Sequence, residues 1–296
     1  MKLSDTARGA LLMNAAMAVF TLNDTVMKAV MQSVPMFQAM FLRGILATAL
    51  LLLLAWHMGA LSVRLSPRDR RFVALRALFE VLSTLTFFAA LRHMPLANLS
   101  AIMQALPLVV TLAAVLLLGE KVGWRRGLAI GVGLMGVLII IRPGPEGFSI
   151  WSAMGLLAVL SVMGRDLSTR QMSRAVPSVL VAASASGVVL LTGAAGMAVQ
   201  GWAPVTAREA GLLVLAAGLL VLGYLTIVGA MRQGEIGAIA PFRYMALVWA
   251  ILLGWLIFGT LPDALTLLGA GIVVASGIYA LLRETRLRRR AAQASG

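Results

Sequence analysis

Apolar residues run almost unbroken through ten stretches of the chain, near 9–31, 36–57, 72–91, 98–118, 124–142, 150–170, 177–199, 207–230, 237–258 and 264–282. A hydrocarbon core about 30 Å thick takes about 20 residues of helix, so each stretch is long enough to cross a bilayer. Backbone groups in lipid must pair within the protein, which leaves helices or a closed barrel. Barrel strands alternate polar and apolar positions, and these runs do not, so the pattern predicts an all-α integral membrane fold of ten helical spans. The connections are short and mostly polar or Gly/Pro-bearing, including Gln32-Ser33, Arg64 to Arg71, Arg142-Pro143-Gly144-Pro145 and Gln233-Gly234-Glu235. None could hold a soluble domain. Met1 to Arg8 is short and polar, and the run after it is too long for a signal peptide, so the first span is expected to stay in the protein.

A polar pattern interrupts the apolar background twice. Asp24, Lys28, Val34 and Pro35 stand where Asp166, Arg170, Val176 and Pro177 recur 142 positions later. A second superposition, shifted by 140, places Ala90, Arg92, Leu112, Gly119, Leu128 and Gly131 on Ala230, Arg232, Leu252, Gly259, Leu268 and Gly271. The chain therefore reads as two related halves, 1–143 and 144–283, followed by a basic tail, 284–296. Five spans per half is an odd number, so the second half enters the membrane inverted. Inverted repeats with a path between them suit alternating access, although a channel or a non-transporting membrane scaffold can inherit the same symmetry.

Composition narrows the class. With 60% hydrophobic and 12% charged residues and a mean hydropathy of +0.95, the chain lies far from soluble domains, where charged residues make up about a quarter. Its net charge of +14 follows from orientation. With the N-terminus in the cytoplasm, 17 basic residues fall inside, from Lys2 and Arg8 to the tail Arg286 to Arg290, against Arg92, Arg142 and Arg208 outside. The positive-inside rule then puts both termini in the cytoplasm, with Trp56 and Trp124 at the inner interface and Trp151 and Trp202 at the outer one. A basic tail beside a last span reads as a contact for anionic lipid rather than nucleic acid. There is no cysteine, and His57 and His93 sit at opposite helix ends, so no disulfide, thiol chemistry, metal site or cofactor is expected. No phosphate-binding loop or nucleophile–base set occurs, and Asp24 and Asp166 lie at opposite depths, which argues against an intramembrane protease.

An ionisable side chain at the bilayer centre costs about 3 kcal/mol on insertion scales, so each one is a candidate for function. Asp24 is expected on the outer side of the middle of span 1, near the depth of Arg43 on span 2. Asp166 is expected on the inner side of span 6, beside Arg165 and near the depth of Arg243 on span 9. Both sets read either as structural ion pairs or as part of a solute path. Glu80, in the middle of span 3 between Arg76 and Thr84, is the candidate coupling carboxylate, and pairing with Arg76 would make it structural. Lys28, one turn beyond Asp24, can pair with it at i, i+4 spacing, and the preferred expectation is that it snorkels to the headgroups. Asn14, Asn23, Asn98, Ser100, Gln104, Tyr224, Tyr244 and Trp249 supply an uncharged polar lining, in which Gln104 superposes on Tyr244 and the rings offer stacking to a planar or amphipathic solute. Singly, each reads as an interhelical hydrogen bond. Glycines on spans 5 and 10, among them Gly127, Gly131, Gly133, Gly136, Gly269, Gly271 and Gly277, point to peripheral scaffold or a homodimer face.

The stretches Ala89 to Ala97, Leu117-Leu118-Gly119-Glu120-Lys121 and Ile139-Ile140-Ile141-Arg142-Pro143 resemble the fourth and fifth helices of EamA-type transporters in the drug/metabolite transporter superfamily. The likeness extends over the whole ten-span layout. It departs in the second half, where Gly259 is followed by Thr260 instead of a repeated Gly-Glu pair, so Glu120 is read as a residue organising a helix end. Asn23 to Lys28 with Leu91 to Ala97 most resembles riboflavin and S-adenosylmethionine uptake members. The resemblance implies transport of a small organic metabolite across a bacterial inner membrane, through a central cavity lined by spans 1, 3, 4, 6, 8 and 9. The expected function is thus a secondary transporter, with riboflavin-like uptake first and an amino-acid or drug exporter as the alternative.

Overall fold

The computed structural model describes residues 5–119, 123–142, 149–173, 175–233 and 239–294. Among these residues every regular element is helical: α1 (Asp5–Val30), α2 (Met36–His57), a 3₁₀ turn (Ala60–Ser62), α3 (Pro67–His93), α4 (Leu96–Met103), α5 (Leu106–Leu118), α6 (Trp124–Ile141), α7 (Ile150–Arg170), α8 (Ser178–Gln200), α9 (Ala207–Gln233), a second 3₁₀ turn (Ala240–Tyr244), α10 (Met245–Phe258) and α11 (Ala264–Ala294). Among the described residues, nine helical stretches are long and apolar enough to cross a membrane, and Gly127–Ile141 adds a shorter apolar helix. Large apolar side chains such as Leu53, Leu116, Val199 and Leu256 are exposed, as expected of helices whose solvent is lipid.

Two expected spans are not single α-helices. The fourth breaks into α4 and α5 at Gln104 and Ala105, because Pro107 in the first turn of α5 has no N–H to continue the ladder. The ninth opens with a 3₁₀ turn that carries Pro241. The last helix runs on into the basic tail, to Ala294.

Among the described residues four glycines take positive φ, and they fall in pairs: Gly59 and Gly201 (66° and 80°), which follow α2 and α8, and Gly119 and Gly259 (67° and 65°), which end α5 and α10. Their separations are the same 142 and 140 positions found in the sequence.

The helices form two compact units. Unit one comprises Met1–Thr21, Met94–Ala153 and Leu222–Gly296, and unit two Leu22–His93 and Met154–Val221, so α1, α7 and α9 contribute a segment to each. In unit one α6 lies along α11, and α4 touches α6, α10 and α11. A Cβ on Gly136 would stand 2.8 Å from the Gly269 carbonyl oxygen, and one on Gly269 2.6 Å from that of Gly136, so the backbones meet where neither position has a side chain. A Cβ on Gly127, Gly131 or Gly271 would meet no other element within 4 Å. The N-terminal part of α1 buries Met13, Ala16 and Met17 with Ala230 and Ile239.

Unit two is built on α2 against α8, with α3 also packed on α8. At Gly193 a Cβ would lie 2.7 Å from the Phe41 nitrogen, so the two helices touch backbone to backbone. Thr48 and Ser186 share a hydrogen bond of 2.8 Å across the same seam. On the facing side of α7, a Cβ at Gly164 would strike the Phe79 ring of α3 at 2.6 Å, which sets how closely α3 and α7 approach.

Candidate functional site

The close approach of α3 and α7 joins charges from separate helices in unit two. Arg165 on α7 is the hub. Its Nη1 is 3.6 Å from Glu80 Oε1, and its Nε and Nη2 each donate to Asp166 Oδ1 at 3.1 Å. The other Glu80 oxygen lies 3.4 Å from Arg76 Nη1, one turn earlier on α3. These four side chains are between 17% and 30% accessible, enough to be reached and too little to be freely solvated. Thr84 is half-buried on α3, one turn beyond Glu80.

A second chain of polar groups joins α2 to α1. Arg43 Nη1 donates to Asn23 Oδ1 at 3.5 Å, and Asn23 Nδ2 donates to Asp24 Oδ1 at 3.1 Å. Asp24 and Arg43 are therefore linked through an amide. The Arg43 guanidinium lies over the Phe88 ring, 5.2 Å from its centroid. Its Nε is buried with no hydrogen-bond partner. Cation and carboxylate thus alternate through this part of unit two, and a solute with complementary charges or amide edges could exchange with these internal contacts.

The snorkelling expected of Lys28 is overturned. Its side chain is buried, and Nζ donates to the Leu91 carbonyl at 2.5 Å. The α3 C-terminus supplies the partner that would otherwise be a headgroup, since the last carbonyls of a helix have none within it. Of the two partners expected for Asp166, Arg165 is the one observed; Arg243 is exposed in unit one.

The uncharged candidates Gln104, Tyr224, Tyr244 and Trp249 lie in unit one with Arg243. Gln104 Nε2 donates to the Tyr244 carbonyl at 3.4 Å, which ties the break before α5 to the 3₁₀ turn before α10. Trp249 Nε1 donates to Asn14 Oδ1 at 3.0 Å. Tyr244 is buried with its hydroxyl unpartnered, beside Gly277. Tyr224 is half-buried on α9. Glu120 lies outside the described residues. The expected candidates thus fall into two groups, one in each unit.

Two carboxylates outside the expected set are as fully engaged as any within it: Asp69, bonded to Ser173, and Glu209, bonded to Ser33. Their sequence signal was a helix-capping pattern, Ser66-x-x-Asp69 and Thr206-x-x-Glu209.

Residues 7–142 match the EamA-like transporter family. An EamA domain thus covers this part of the chain. Among its relatives, the pseudopaline exporter CntI of Pseudomonas aeruginosa is 27% identical, over 94% of this chain and 97% of its own length. An S-adenosylmethionine uptake transporter of Rickettsia conorii is 25% identical over 90% of each chain. A riboflavin transporter of Vibrio cholerae is 28% identical over 79% of this chain and 80% of its own. All three are named as transporters and none as an enzyme. A solved crystal structure with 19% identity superposes with a TM-score of 0.65, over 96% of this chain and 100% of the other, and shows a shared fold alone.

Proposed function

We propose that this EamA protein is a secondary carrier that moves a small organic metabolite across a bacterial inner membrane by alternating access. The observation that carries the reading is the Arg76–Glu80–Arg165–Asp166 cluster with the neighbouring Arg43–Asn23–Asp24 chain, because charges among membrane-crossing helices are costly unless they serve a path or a partner. Two inverted five-span repeats, 1–143 and 144–283, are supported by the paired positive-φ glycines. The excess of basic residues in alternate connections supports cytoplasmic termini. Glu80 is the coupling group in this reading, Asp24, Thr84, Arg165 and Asp166 line the path, and lipid and a second copy of the chain are the expected partners.

For the solute, the reading favours a planar compound with hydrogen-bonding edges, of the flavin or nucleoside class, moved inward. Guanidinium and carboxylate groups can bind such edges, and the relatives include riboflavin and S-adenosylmethionine uptake transporters. A second reading, export of an amino-acid-like or drug-like solute, is favoured by the coverage of the pseudopaline exporter. Riboflavin uptake by a flavin-auxotrophic bacterium separates the two. Growth rescue that is lost in Glu80→Gln and Asp24→Asn supports flavin import, and absence of rescue at good membrane expression turns the assignment to export.

A further inference from the structure

One hydrogen-bonded arrangement occurs twice in unit two, 140 positions apart. At the start of α3, Ser66 Oγ accepts from the Asp69 N–H at 3.0 Å and donates to Asp69 Oδ2 at 2.8 Å. The same carboxylate reaches the turn between α7 and α8, where it accepts from Ser173 N–H at 2.9 Å and from Ser173 Oγ at 3.1 Å. At the start of α9, Thr206 Oγ1 accepts from the Glu209 N–H at 3.3 Å, and Glu209 Oε2 accepts from Thr206 N–H at 2.7 Å and Oγ1 at 2.9 Å. Glu209 Oε1 accepts from Ser33 in the turn between α1 and α2. Ser33, Ser66 and Asp69 are each 140 positions before Ser173, Thr206 and Glu209.

Capping alone needs only the local half of each arrangement. The reach to a turn 104 or 176 residues away does something else: it fastens the first turn of one half to the third span of the other. Successive spans alternate in direction, so α3 begins on the face that holds the chain ends and α9 on the opposite face.

We propose that Asp69 and Glu209 are positioning residues for transport, a matched pair of latches at opposite membrane faces. Release of Asp69 from Ser173 opens the path toward the chain ends, and release of Glu209 from Ser33 opens it the other way. This rests on the alternating-access reading. Among the described residues the two sides are unequally held. Beside Glu209, the Gln38 side chain donates to the Ala203 carbonyl at 2.8 Å and accepts from the Ala203 N–H at 2.9 Å, and Phe37 N–H donates to Gln200 at 3.2 Å. The Asp69 side therefore opens more readily.

The chain has no cysteine, so Thr84→Cys supplies a single thiol in mid-helix. Its labelling by a membrane-impermeant maleimide, in sealed vesicles of each orientation, tests the latches. Asp69→Asn should raise labelling from the face of the chain ends about tenfold, the effect of losing a hydrogen bond to a charged group. Glu209→Gln should raise it from the opposite face, and by less. Ser173→Ala and Ser33→Ala leave both caps intact and should act in the same directions. Equal labelling from both faces in all variants, no labelling in any, or a rise on the wrong face overturns the proposal. Labelling needs no solute, so side-specific changes in a chain that moves none of the solutes tested would sink the transport reading of the solute and leave the latches standing. Solute flux with unmoved labelling would do the reverse.

Discussion

Glu80→Gln tests what the charged cluster contributes, because the amide keeps the shape of the carboxylate, removes its charge and turns one of its two acceptor oxygens into a donor that must face a guanidinium. Glu80 sits 3.4 Å from Arg76 and 3.6 Å from Arg165. At an effective dielectric constant near 20, each pair carries about 5 kcal/mol of gross attraction. Against this stands the desolvation of the carboxylate itself, several kcal/mol for a group held away from water. The accessible fractions of 17% to 26% soften both quantities. A net loss of about 3 kcal/mol is expected, at the low end for breaking a buried pair. The measurement is unfolding of the purified protein in detergent micelles, for Glu80→Gln, Arg165→Gln and the double variant. Because Arg165 also holds Asp166 at 3.1 Å, Arg165→Gln removes more than one interaction, and the double variant should be less destabilised than the sum by more than about 1 kcal/mol. Additivity within about 0.5 kcal/mol, the behaviour of independent sites, would refute the ionic coupling of α3 to α7.

Three further outcomes are expected. Gly193→Ala should destabilise by about 2 kcal/mol, because its Cβ would meet the Phe41 backbone at 2.7 Å, whereas Gly131→Ala, in open space, should stabilise by up to about 1 kcal/mol through helix propensity; thermal unfolding of the two variants gives opposite signs. Tyr244→Phe removes a buried hydroxyl that has no partner and should raise stability by about 1 kcal/mol, while any fall in solute flux in that variant would reveal a bond from the hydroxyl to the solute. The Thr266 N–H and then the Arg142 guanidinium hold Asp263 below its ordinary value of 3.8. Its contribution to stability is thus complete above pH 3.8 and is lost as pH falls further through the lowered value. Acid unfolding of Asp263→Asn should be less steep than that of the parent in this window, and identical profiles would contradict the assignment.

The spans were legible because the apolar runs are long and leave the backbone no alternative to a helix. Breaks inside them were less so. The run 98–118 is apolar enough overall to read as one span despite Asn98, Ser100 and Gln104, and its break is marked only by Pro107, as Pro241 marks the turn before α10. In the candidate site, Arg76 and Glu80 were legible because four positions on one helix place them together. The link from Glu80 to Arg165 was not, since it depends on how closely α3 and α7 approach across 85 positions of chain. Lys28 was misread because its partner is a main-chain carbonyl, a group every residue carries and no side-chain pattern marks. Asp69 lies just before the run 72–91 and Glu209 in the first turn of the run 207–230, both at helix starts, so neither stands out as a mid-membrane charge.

The seam between α2 and α8 bears on biosynthesis. Gln38, fully buried, is satisfied by Ala203, and Thr48 bonds Ser186, so the groups that complete α2 belong to residues translated 165 and 138 positions later. During that interval α2 must reside in the bilayer with these polar side chains unmatched. The nascent first half is thus an insertion intermediate that waits for the eighth helix, and premature termination before α8 should yield a product recognised by membrane quality control rather than a stable half-carrier.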